Sequence, residues 1–200
     1  LSTPEQLLFL PGASGNKAFW QPLSERLATR AAREFVGYPG FGGEPADPAV
    51  ASIDDIVRRV VARIDRPTAL VAQSMGGVIA VRAALDKPQL VTHLVLTVTS
   101  GGIDTAALGA QNWRAGDTSA FPSWFVSYHA DLSDDIARLT QPALLLWGDS
   151  DPLSPLAVGE RLNALLGNAT LHVVRGGEHD LGSVHAEALA PLVDAHLLAR

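Results

Sequence analysis

A serine separates two apolar runs in Val71-Ala72-Gln73-Ser74-Met75-Gly76-Gly77. Read as a strand-to-helix turn, this stretch puts the Ser74 hydroxyl at a helix N-terminus, where developing negative charge is favoured. A serine hydroxyl is a weak nucleophile near neutral pH. It needs an adjacent base, and it needs donors for the oxyanion that its attack creates. Small residues at Ala72 and Gly76 let two backbone segments come close enough for a sharp turn. The competing reading is structural, because serine is also a favoured helix N-cap.

Partners for Ser74 should come from loops that follow other strands. Of the six histidines, His93 lies inside an apolar run, His172 opens the last such run and His196 sits in the final helical pattern. Packing accounts for all three. His129 falls in an aromatic-rich connection and His185 at a helix start, and neither has a glycine-shaped loop to aim it. His179 is different, because Val174-Arg175-Gly176-Gly177-Glu178-His179-Asp180 is a turn-rich loop able to project an imidazole. It is the predicted base, against the alternative of a solvated loop histidine. For the acid, Leu144-Leu145-Leu146-Trp147-Gly148-Asp149-Ser150-Asp151-Pro152 runs from a strand into a turn with two carboxylates. Position alone does not separate Asp149 from Asp151, since aspartate is also an ordinary turn former. The loop Leu10-Pro11-Gly12-Ala13-Ser14-Gly15 offers the Ala13 N–H as an oxyanion donor beside that of Met75. A phosphate cradle is the rival there, but the loop lacks dinucleotide glycine spacing and a phosphate-loop lysine.

These loops need a scaffold that gathers strand ends. Short apolar runs recur at Leu7–Leu10, Glu34–Val36, Ala69–Ala72, Leu94–Val98, Ala143–Trp147 and Leu171–Val174. Without alternation they read as strands covered on both faces. Between them, Ile53, Ile56, Val57, Val60, Val61 and Ile64 recur at helix spacing behind Ser52 as a cap. A second helix should open at Ser154-Pro155, a cap followed by a first-turn proline, and a last one carries Leu189, Leu192, Val193 and Leu197. The segment after Ser74 is apolar all round and should be buried. Alternating strands and helices predict a three-layer α/β fold with a mostly parallel sheet of about six strands, whose sites gather at the strands' carboxyl ends. Residues 103–139 break the alternation with Trp113, Phe121, Trp124, Phe125 and Tyr128. They read equally as a cap over a pocket or as a satellite core.

Two hundred residues, 47% hydrophobic, predict a single domain over 1–200. With no cysteine, disulfide and thiolate chemistry are excluded, and a cytoplasmic location is expected. A net charge of −6 argues against nucleic acid as partner, and no apolar run is long enough to insert in a membrane.

Taken in the order Ser74, Asp151, His179, with Pro11-Gly12-Ala13 upstream, the chain resembles the alpha/beta-hydrolase superfamily, in particular its compact esterase and lipase-like members. In that family the acid sits in a Gly-x-x-Asp-Pro turn, here Gly148 to Pro152, and the resemblance selects Asp151. It implies a serine hydrolase acting on a small-molecule ester or acyl substrate through an acyl-enzyme. Ser74, His179 and Asp151 would be catalytic, and the Ala13 and Met75 N–H groups would form the oxyanion hole. Ser14, Trp113, Trp124 and Phe125 would line the pocket, with no cofactor and no metal. Serine at 74 argues against relatives that use an aspartate nucleophile. The turn departs from Gly-x-Ser-x-Gly at Ala72, and Pro11 replaces the histidine usual before the oxyanion-loop glycine. The resemblance also implies that the usual N-terminal hairpin is absent and that the cap, at about 103–139, is short. A carbon–carbon bond hydrolase or lyase with the same triad is an alternative, as is a ligand receptor without turnover. Acyl preference and oligomeric state are not legible.

Overall fold

The computed structural model describes residues 2–198. Six strands form one parallel sheet: β1 (Gln6–Leu10), β2 (Ala32–Phe35), β3 (Thr68–Gln73), β4 (Val91–Thr97), β5 (Ala143–Gly148) and β6 (Ala169–Val174), in the order β2-β1-β3-β4-β5-β6. The helices are α1 (Gln21–Ser24), α2 (Ile53–Val61), α3 (Met75–Asp86), α4 (Ser123–Val126), α5 (Ser133–Ile136), α6 (Leu156–Leu165), α7 (Leu181–Val184) and α8 (Ala186–Leu198). α2 packs against α3, α1 against α8, and α6 lies on β5 and β6, so helices flank the sheet as expected.

Burial explains why the apolar runs carry no alternation. Every residue of β1, β3, β4 and β5 is buried, as in parallel sheets covered on both faces. The expectation of two-sided cover fails at the edges. β2 and β6 are only partly buried, because an outermost strand has a neighbour on one side and lies at the limit of the helical layers. The α2 prediction holds to Val61: Ile53, Ile56, Val57 and Val60 face inward, and Ser52 Oγ accepts from the Asp55 N–H at 3.3 Å, while Ile64 is buried in the segment beyond the helix. Asp55 Oδ2 reciprocates, accepting from Ser52 Oγ at 2.7 Å and from the Ala51 N–H at 3.0 Å. The α6 prediction is corrected. Pro155 is the N-cap, the helix opens at Leu156, and no side chain caps it. Ser154 instead ties loops together, its Oγ donating to the Thr99 carbonyl at 3.3 Å and its carbonyl accepting from Trp147 Nε1 at 3.0 Å.

The strand order sets where a ligand can enter. From β1 the chain moves outward to β2, then crosses back past β1 to β3, so β1 and β3 are neighbours whose following segments diverge. In open α/β sheets the crevice at such a switch point, outside the strands' carboxyl ends, is where ligands bind. Leu10 pairs with Ala72 in this register, which sets the Leu10–Gly15 loop beside Ser74. Among the described residues no helix is long and apolar enough to cross a membrane.

Candidate active site

Ser74 stands at the N-cap position of α3, yet its side chain makes no capping hydrogen bond. Its backbone is at φ 53°, ψ −122°, and a non-glycine residue at positive φ is uncommon. Such a conformation costs about 1–3 kcal/mol and persists only where the surroundings enforce it. Here the Ser74 N–H donates to the Thr97 carbonyl at 3.1 Å, and Thr99 Oγ1 donates to the Ser74 carbonyl. Gly76 is required by close approach, since a Cβ there would lie 2.5 Å from the Leu10 carbonyl oxygen and 2.7 Å from that of Pro11. The Leu10 carbonyl accepts from Trp20 Nε1 and the Pro11 carbonyl from the Tyr38 hydroxyl, each at 3.1 Å. Burial also pushes the Tyr38 hydroxyl well above its ordinary pKa, so it stays a donor.

Ser74 and His179 both line a cavity of about 1170 Å³ at the sheet's carboxyl edge. His179 Nδ1 lies 2.7 Å from Asp151 Oδ2, whose side chain is fully buried. An ionised carboxylate only accepts, so Nδ1 carries the proton and a neutral ring keeps Nε2 as its acceptor. Asp151 Oδ1 accepts from the Leu153 N–H at 2.8 Å, which fixes the carboxylate plane. Asp149 is exposed and does something else. It accepts from the Gly176 N–H at 2.6 Å and from Ser150 Oγ at 3.1 Å, binding the loop after β5 to the loop after β6. The two loops meet so closely that a Cβ on Gly148 would lie 1.9 Å from the Gly177 carbonyl oxygen.

Ala13, Ser14 and Met75 line the same cavity. Met75 opens α3, so its N–H has no acceptor within the helix. No acceptor is found for the Ala13 N–H among the described residues. Trp113 and Phe125 also line the cavity and stack at 5.2 Å. Trp124 does not. It packs edge-on against Phe41 at 5.7 Å and Phe125 at 6.3 Å, so α4 presents one aromatic ring to the cavity and the other to a neighbouring loop. The connection between β4 and β5 is thus wall and packed cluster together. Arg114 braces it, donating from Nε to the Val126 carbonyl and from Nη2 to the Tyr128 carbonyl, each at 2.7 Å, with its guanidinium 4.4 Å over the Trp113 ring.

The chain matches the alpha/beta hydrolase family over residues 7–128, and residues 118–199 match the family described as TAP-like protein. It belongs to the alpha/beta hydrolase family, and its open six-stranded sheet with flanking helices agrees with that. Among its curated relatives is a pimeloyl-[acyl-carrier protein] methyl ester esterase of Aliivibrio salmonicida (strain LFI1238), 24% identical over 221 aligned residues, covering 86% of this chain and 84% of that protein. The enzyme of the same name from Aliivibrio fischeri (strain MJ11) is 34% identical over 108 residues, 54% of this chain and 40% of that one. Among solved structures, one titled a putative lipase from Acinetobacter baumannii AYE superposes with a TM-score of 0.80 at 18% identity, covering 99% of this chain and 85% of that one.

Tyr38, Trp20 and Thr99 reach the site through backbone carbonyls. Nothing in the order of residues announces that a tyrosine 27 positions away donates to Pro11. His129, set aside from sequence, lines the cavity too, with Nδ1 2.8 Å from the Ser127 carbonyl.

Proposed function

We propose that the chain is a serine hydrolase that cleaves a carboxylic ester of a small molecule through an acyl-enzyme. Ser74 is the nucleophile and His179 the general base. Asp151 holds the imidazole in the tautomer that leaves Nε2 free, and stabilises the imidazolium once the Ser74 proton has moved. The N–H groups of Ala13 and Met75 receive the negative charge on the tetrahedral intermediate, each such donor contributing about 2.7–4 kcal/mol in hydrolases of this kind. His179 then returns the proton to the leaving alcohol. In the second half-reaction it activates water, which releases the acid and restores Ser74. No cofactor enters either half. Residues 103–139 act as a short cap on the one domain, with Trp113 and Phe125 selecting the acyl or alcohol group. A reducing compartment such as the cytoplasm suits a chain without cysteine.

The observation that carries this reading is the 2.7 Å contact between His179 Nδ1 and the buried Asp151, at the wall of the cavity that also holds the uncapped, positive-φ Ser74. Esterase activity in the two Aliivibrio relatives favours an ester over other acyl compounds. The test is labelling with a fluorophosphonate probe together with hydrolysis of a short nitrophenyl ester. Native protein should react in both assays, and Ser74→Ala should lose both, with turnover down by a factor on the order of 10⁴ or more. Equal labelling of the two proteins would sink the assignment.

A further inference from the structure

Gln73 ends β3 one residue before Ser74, is 5% exposed and lines the cavity. Its Nε2 donates to the backbone carbonyl of His179 at 3.1 Å. Its Oε1 lies against the loop after β1, so close that a Cβ on Gly12 would meet it at 2.3 Å. One amide therefore spans from the loop that carries the imidazole to the loop that carries the Ala13 N–H. Burying an amide costs free energy unless its hydrogen bonds are made, and an apolar side chain of similar shape would fill this strand end without that cost.

The other ties of the His179 loop run elsewhere. Asp149 holds Gly176, and the Ser150 N–H donates to the Gly177 carbonyl at 3.1 Å, so both anchor the loop to the end of β5. Asp151 orients the ring, but a ring is only as well placed as the backbone it hangs from. Gln73 connects that backbone to the nucleophile's own strand.

We propose that Gln73 is a positioning residue for the reaction assigned above: its amide sets the distance from His179 to Ser74 and seats the Gly12–Ala13 turn against both. The proposal rests on the serine hydrolase reading. A misplacement of about 1 Å at such a group can cost on the order of a hundredfold in rate. Gln73→Met keeps the volume and removes the N–H donor. Gln73→Glu keeps the shape and turns a carboxylate toward the His179 carbonyl.

The experiment compares fluorophosphonate labelling rates, nitrophenyl ester kinetics and thermal melts for the wild type and both variants. Labelling rate and kcat should fall together about ten- to hundredfold in Gln73→Met and further in Gln73→Glu, with KM within about twofold. Unchanged labelling and kcat in Gln73→Met overturn the proposal whatever the melting temperature does. So does a loss confined to KM, which would make the amide a substrate contact. If the Met variant does not fold, the Glu variant decides by the same two readouts. A wild type that is neither labelled nor active overturns the hydrolase reading, whereas a reactive wild type matched by its variants overturns the Gln73 role alone.

Discussion

Asp149 and Asp151 are two residues apart in one turn, and their surroundings divide them. Asp151 is fully buried against His179 with both oxygens engaged, whereas Asp149 is exposed and spends itself on the Gly176 N–H. The expected outcome follows from that contrast. Asp151→Asn should lower kcat/KM about 10⁴-fold by spoiling the imidazole tautomer, with the fold intact. Asp149→Ala should leave turnover within about tenfold and lower stability by about 1–2 kcal/mol, because it removes the oxygen that accepts from the Gly176 N–H and Ser150 Oγ. Ester hydrolysis and denaturant titration on both variants check this, and equal losses of activity would mean that Asp149 shares the role. Ser74, His179 and the pair of carboxylates all stand out in the order of residues, because each sits in a turn that follows an apolar run. Choosing between the carboxylates from residues alone was not possible, since a turn-forming aspartate and a histidine-orienting one have the same local sequence.

At the scale of elements, two serines that look alike before apolar helices behave differently. Ser52 caps α2 through the Asp55 N–H, while Ser154 leaves α6 uncapped and joins Thr99 to Trp147. Ser52→Ala should therefore cost about 1 kcal/mol, read as a lower denaturant midpoint with an unchanged slope. The difference has a tertiary cause. Ser52 faces a helix end near solvent, whereas Ser154 is buried and its carbonyl accepts from the indole of the fully buried Trp147. The same kind of cause separates Phe125 from Trp124. Both lie on a single four-residue helix, and which ring faces the cavity depends on where α4 docks against Phe41.

On the scale of the whole molecule, α8 is fastened to the sheet through a pair of imidazoles. His196 donates from Nε2 to the Leu94 carbonyl at 3.0 Å and meets the buried His93 edge-on at 5.2 Å. Burial, and then His93 beside it, push His196 down from 6.5 to about 4. Between those values the unfolded chain binds a proton that the folded chain excludes, so stability falls as pH drops from 6.5 toward 4. The loss should be about 1–2 kcal/mol for this partly exposed ring, and His196→Gln should show less of it when denaturation midpoints at pH 7 and pH 4.5 are compared. What the sequence by itself determined was the layered α/β class, the six strands, the amphipathic α2 and the serine, histidine and aspartate turns, since all follow from local spacing of apolar and turn-forming residues. What only the tertiary structure decided was the strand order, the partly exposed edges, which carboxylate touches His179, and the reach of Gln73, Trp20 and Tyr38 to distant carbonyls. Those depend on which strand ends become neighbours once β3 crosses back past β1, a matter of packing between segments far apart in the chain.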